Sequence, residues 1–175
     1  MLWDKGVGEF VESATVLKKQ GIDADFILVG SVDPGNPESI STKQLEQWNR
    51  SGVVKWLGER SDITQLLTES HIAVFPSYRE GLPKSLIEAA AVGRPIITTD
   101  VPGCREVVKE GENGFLVPAR DAKKLAVVIK KLINNPKLLI VMGKKSRLIA
   151  EQEFSIQKVI TKTLTLYSKI GSDPK

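Results

Sequence analysis

The sequence predicts an α/β domain built on a parallel sheet covered by helices on both faces. Three observations predict it. Short apolar runs alternate with helix-patterned segments along most of the chain, as strands buried on both sides alternate with the crossover helices that join them. The runs have strand length and close on turn-forming residues, as at Gly30, Gly58 and Pro76. Third, the 175 residues contain one cysteine, Cys104, and one histidine, His71, so neither an internal disulfide nor a His/Cys zinc site can hold the fold. Apolar burial must do so, and a chain of this length removes roughly 70% of its extended surface from water on folding.

Taken in order, residues 8–20 are expected to form an amphipathic helix, with Phe10, Val11, Ala14 and Leu17 at helical spacing and Gly21 as its stop. Residues 25–30 read as a buried strand ending on Gly30, and residues 31–39, rich in proline, glycine and asparagine, as a loop. Ser41 and Gln44 have capping-box spacing and open a helix to about Arg50. A strand over residues 53–58 and a short helix over 62–69 follow. Residues 72–76 form the third strand and residues 95–99 the fourth, separated by an alanine-rich helix. The turn Gly111-Glu112-Asn113-Gly114 introduces a last strand at Phe115-Leu116-Val117. Three more helices are expected: Asp121 caps one through Ile133, Asn135-Pro136 starts another through Ala150, and Ser155 opens a third to about Ile170. The whole reads as one Rossmann-like domain over residues 1–175, without internal repeats. Leu2-Trp3-Asp4-Lys5-Gly6 reads as the tail of a first strand and its loop, so the chain is expected to be a fragment of a longer protein.

Composition narrows function only by exclusion. A formal charge of +4, a pI near 9.1 and a mean hydropathy of -0.10 suit a soluble domain with an anionic ligand. The basic residues are scattered, which argues against nucleic acid as a partner. No segment has the length of a membrane span, and the first residues show neither a basic leader nor an apolar signal core. A cytoplasmic protein is expected.

The stretch from Tyr78 to Ala91 carries the chemistry. It lies between the third strand and the alanine-rich helix, and holds Glu80 and Glu88 across a turn containing Gly81, Leu82 and Pro83. A strand emptying into a helix N-terminus offers free amides and the positive end of a dipole at the sheet's carboxyl edge, the usual crevice of open α/β sheets. The amides of Gly81, Leu82, Lys84 and Ser85 suit phosphate or sugar oxygens. Lys84 opposes the dipole by about 0.3–1 kcal/mol, a conflict that a bound anion removes. A bland reading stands beside this one. Ser85 and Glu88 have capping-box spacing, and Glu80 can be a solvated loop carboxylate.

The phrases around the motif resemble a known family. Residues 76–89, with Glu80 and Glu88, resemble the E-x7-E signature of the family 4 retaining glycosyltransferases. Residues 93–106, residues 112–117, Trp3-Asp4-Lys5-Gly6-Val7 and Val29-Gly30 fall in the same order as that family's other phrases. The resemblance implies the C-terminal half of a GT-B fold, with extra C-terminal helices, binding a nucleotide-diphosphate sugar, most simply UDP- or GDP-linked, as co-substrate. It implies that Glu88 accepts from the ribose hydroxyls and that Glu80 contacts the donor sugar. Gly81, Leu82, Lys84 and Ser85 would hold sugar and diphosphate, and Lys5 the departing diphosphate. Gly30 would allow close approach of the nucleotide, with Gly58 and Arg60 bordering the base. Neither a cofactor nor a metal is expected, because lysine and backbone dipoles can stabilise the leaving charge.

Two departures qualify the likeness. Pro83 stands where the family commonly has glycine, and the family's arginine upstream of the lysine would precede Met1. The acceptor-binding N-terminal domain is likewise expected to be missing, and any membrane contact to belong to the full-length enzyme. The isolated chain should bind donor weakly and transfer slowly or not at all. Other readings are a non-catalytic sugar-nucleotide-binding module, or a GT-B phosphorylase or epimerase.

Overall fold

The computed structural model describes residues 1–171. Five strands form two parallel ladders. β1 (Ile27–Leu28) pairs with β2 (Lys55–Trp56), and β4 (Ile96–Thr99) lies between β3 (Ala73–Phe75) and β5 (Gly114–Val117). Every pairing is parallel, so within each ladder the carboxyl ends lie along one edge. The N-terminal segment links the ladders there. The Met1 amino group donates to the Ser31 carbonyl after β1, and the Tyr78 N–H after β3 donates to the Asp4 carbonyl at 2.8 Å.

The helices are α1 (Val7–Lys19), α2 (Thr42–Arg50), α3 (Ile63–Glu69), α4 (Lys84–Ala91), α5 (Pro102–Val107), α6 (Ala122–Ile133), α7 (Pro136–Glu153) and α8 (Ile156–Gly171). Strand alternation divides the core into two layers. Val74, Ile97, Phe115 and Val117 face one cluster with Phe10, Leu17, Leu125 and Leu132 of α1 and α6. Ala73 and Ile96 face the other, with Leu86, Ala89, Cys104 and Val107 of α4 and α5, against which Phe75 and Leu116 also pack. Helices thus cover both faces, as the sequence predicts. Burying a leucine such as Leu86, fully enclosed, is worth about 2 kcal/mol. At the far end, α8 leaves Ile156, Val159, Leu164 and Tyr167 exposed.

Local chemistry sets most boundaries. Side-chain oxygens of Ser41, Asp121 and Asn135 accept the N–H of Gln44, Lys124 and Leu138, capping α2, α6 and α7. Two expectations fail. Residues 2–6 are not a strand tail: Leu2 makes an isolated antiparallel bridge to Ser39, and Trp3–Lys5 form a 3-10 helix. Ser85 is not a cap, because Pro83, at φ -74, already precedes the first helical residue and accepts from Leu86 N–H at 3.1 Å. Glu88 therefore lies inside α4, exposed and with no hydrogen bond to its carboxylate among the described residues. In addition, α5 forms over residues that carried no assignment, started by Pro102 at its first position.

Candidate functional site

The chemistry-bearing turns follow the carboxyl ends of the strands in both ladders, which the N-terminal segment joins. Gly30 follows β1, Gly58 and Arg60 follow β2, Glu80 follows β3 and Arg120 follows β5. Lys5 reaches the same edge from the 3-10 helix. Its ammonium donates to Glu80 Oε1 at 2.9 Å across 75 positions of sequence. Gly6 makes that approach feasible. Its φ is 70°, and a Cβ there would lie 2.1 Å from the Pro76 carbonyl oxygen, so no larger residue lets the 3-10 helix seat against the segment after β3. The side chain of Lys5 is 46% exposed and that of Glu80 17%. A pair this open to water adds about 0–1 kcal/mol to stability, so its geometry says more about ligand than about folding.

The loop carrying Glu80 is pinned from the other face by α5. A Cβ on Gly103 would sit 1.8 Å from the Gly81 carbonyl oxygen and 2.5 Å from that of Glu80. Cys104 beside it is fully buried, and burial pushes its thiol pKa up, against hydrogen bonds with Thr98 and Thr99 that pull it down. The Thr98 hydroxyl donates to the Phe75 carbonyl at 2.7 Å, and that of Thr99 to the Ser77 carbonyl. β4 therefore braces the exit of β3 with side chains as well as with its ladder. Beyond the loop, the first-turn amides of Lys84 and Ser85 have no acceptor among the described residues, which is the donor pair an anion would meet. Gly81, Leu82 and Lys84 are exposed around it.

Elsewhere the expected residues have partners already. The Gly30 N–H donates to the Gly58 carbonyl at 2.7 Å, and Trp56 Nε1 donates to the Gly30 carbonyl at 2.9 Å. Arg60 forms a forked pair with Asp62 at 2.8 and 2.6 Å, whose hydrogen bonds hold the Asp62 carboxyl below the usual range. His71 stands at the opposite, amino edge, in an open cleft of about 460 Å³ shared with Arg94, Lys144 and Arg147. That cleft contains none of the expected site residues.

Three residues at the site were not anticipated. The Tyr78 hydroxyl donates to Glu9 Oε1 on α1 at 2.7 Å, and the Arg120 guanidinium lies 4.6 Å over the Tyr78 ring. Burial first, and the Glu9 carboxylate second, push the Tyr78 pKa up to about 12. Next to these, Glu9 Oε2 and Asp4 Oδ1 are buried with no hydrogen-bond partner among the described residues. No local spacing joins Glu9, Tyr78 and Arg120, because they come from three elements.

Comparison with known proteins adds the following. A family model described as glycosyl transferases group 1 matches residues 1–149. The N,N'-diacetylbacillosaminyl-diphospho-undecaprenol alpha-1,3-N-acetylgalactosaminyltransferase of Campylobacter jejuni is 40% identical over 169 residues, covering 97% of this chain and 43% of that protein. The capsular polysaccharide biosynthesis glycosyltransferase CapM of Staphylococcus aureus is 32% identical over 165 residues, covering 94% of this chain and 43% of that protein. Anabaena HepE, solved in complex with UDP and glucose, matches with a TM-score of 0.85 at 25% identity, covering 97% of this chain and 46% of that one. Sucrose-phosphate synthase of Thermosynechococcus elongatus matches at 0.80 and 25% identity, over 94% and 43%. The chain spans less than half the length of these relatives, and its fold is that of GT-B glycosyltransferase C-terminal domains.

Proposed function

Since the chain belongs to the glycosyl transferases group 1 family, we propose that it is the donor-binding half of a retaining glycosyltransferase, moving a sugar from a nucleotide-diphosphate sugar to an acceptor in glycan, polysaccharide or lipopolysaccharide biosynthesis. One observation carries the reading. Lys5 and Glu80 meet at 2.9 Å on the sheet's carboxyl edge, a few residues ahead of the free amides of α4.

The roles follow from charge. An ammonium has three N–H donors and Glu80 takes one, which leaves two for diphosphate oxygens. As the bond from the sugar to the diphosphate lengthens, negative charge gathers on the leaving group, and Lys5 with the amides of Lys84 and Ser85 stabilises it more than the ground state. No metal is required for that task. Glu80, hydrogen-bonded to Lys5, orients the sugar hydroxyls, with Gly81 and Leu82 alongside. Glu88, exposed on α4 with its carboxylate free of other bonds, accepts from the ribose diol. Gly30 and Gly58, their backbones already tied together, border the nucleotide through closeness more than through new bonds. Arg60 reaches the base by sharing its guanidinium with Asp62.

The UDP in the HepE structure supports a nucleotide-sugar donor, UDP- or GDP-linked. The acceptor side belongs to an N-terminal domain, and the Campylobacter relative's name points to a lipid-linked saccharide as one acceptor class. Transfer at the inner face of the membrane by an otherwise cytoplasmic enzyme fits that class. None of the described helices is long and apolar enough to cross a membrane.

Ligand-observed NMR with UDP, GDP, ADP and their sugars tests the reading on this chain and on Glu88→Ala. Binding of at least one nucleotide sugar, weakened by the substitution, is expected. Absence of binding by every ligand, or binding indifferent to Glu88→Ala, contradicts the ribose role.

A further inference from the structure

We propose that Arg120 is a positioning residue for the Lys5–Glu80 pair and acts on it through Tyr78. Its effect on donor affinity rests on the donor-site reading above. Its effect on the loop does not.

Tyr78 fastens the two halves of the site. Its N–H holds the carbonyl of Asp4, the residue before Lys5, at 2.8 Å. Its hydroxyl holds Glu9 in the first turn of α1 at 2.7 Å. Two residues further on, its own loop presents Glu80 to Lys5 at 2.9 Å. A displacement of Tyr78 would therefore move the Lys5 segment and the Glu80 loop relative to each other.

The free face of that ring is covered by Arg120, whose guanidinium carbon lies 4.6 Å from the ring centroid. Arg120 is the one residue other than glycine with positive φ among those described, at 62°. In that region a Cβ crowds the following carbonyl, a cost that glycine at the same turn avoids. The backbone of this turn after β5 would be better served by glycine, so the side chain must repay the strain. What it supplies is a cation at the face of the ring whose hydroxyl holds Glu9. A guanidinium there is attracted to the ring quadrupole. It keeps Tyr78 clamped between the Lys5 segment and the Glu80 loop.

This account makes stability and positioning move in opposite directions in Arg120→Gly. The substitution relieves the backbone and removes the clamp. The thermal midpoint should stay level or rise, while hydrogen exchange at the Tyr78 amide, measured by NMR, quickens about threefold to tenfold, the weight of one partly desolvated cation–π contact. Affinity for whichever nucleotide sugar binds the native chain should fall by a similar factor. Arg120→Lys, which keeps a cation over the ring, should restore most of the Tyr78 protection. Unchanged exchange at Tyr78 in Arg120→Gly would overturn the proposal. So would a lowered midpoint with exchange raised evenly along the chain, since that is what a merely structural arginine gives. If the native chain binds no nucleotide sugar, the donor-site reading fails, and the exchange measurement still decides the role of Arg120.

Discussion

Adding one methyl group at Gly103 should disable the site without replacing any residue placed against the ligand. The new Cβ would lie 1.8 Å from the Gly81 carbonyl oxygen and 2.5 Å from that of Glu80. Ordinary contact requires about 3.5 Å, so backbone must separate by roughly 1.5 Å. α5 cannot easily retreat, since Cys104 and Val107 on either side of its turn are fully buried. The Glu80 loop yields instead, and a shift of that size breaks its 2.9 Å contact with Lys5. Both clashing atoms are main-chain, which places the cost at the upper end of overpacking, about 3 kcal/mol. For a domain of this size that is a fall in Tm of about 6–12 °C. Gly81→Ala is the matched control for the melts alone, because nothing lies within 4 Å of its Cβ position. Thermal melts followed by tryptophan fluorescence, with donor titrations at low temperature, measure both effects. If Gly103→Ala melts within about 2 °C of the native chain and binds donor as well, the packing argument is wrong.

Lys5→Ala should change stability by less than about 1 kcal/mol, because its pair with Glu80 is open to solvent, while donor binding in calorimetry drops sharply. Leu86→Ala empties a fully buried site and should cost about 2–5 kcal/mol in urea unfolding, with the slope unchanged. The Tyr78 phenol is held protonated to about pH 12, against an ordinary 10.0. Its contribution to stability is complete below pH 10 and is lost as pH rises through about 12, so alkaline melts of Tyr78→Phe should show less destabilisation over that window than native protein. The Cys104 thiol is enclosed and raised in pKa, so a maleimide reagent should label it only after unfolding, as mass spectrometry can show.

What could be read from the sequence was what depends on near neighbours. Ser41, Asp121 and Asn135 each cap the helix expected of them because the acceptor and its target N–H are three residues apart. Apolar runs placed β3, β4 and β5 to within a residue or two, since strands buried on both faces leave no polar alternation to blur them. The same local reasoning misleads at Ser85, where Pro83 already stands at the N-cap of the helix, and it assigns nothing to the residues that form α5. At the site, Glu80 and Lys5 were named from a family likeness, and their contact is a product of folding across 75 positions. Glu9 and Arg120 carry no signal in the sequence, and Tyr78, though it opens the motif, has no role there that spacing reveals. An arginine in left-handed backbone is visible only in coordinates.

Mapping the donor onto the chain is the most direct test of the central claim that nucleotide and sugar sit at the carboxyl edge beside Lys5 and Glu80. Amide shifts of labelled protein titrated with UDP-glucose and GDP-mannose should move at Gly30, Gly58, Gly81, Lys84 and Ser85, together with Lys5. Shifts confined to the cleft of His71, Arg94 and Lys144 at the amino edge, or no shifts with either donor, would contradict it.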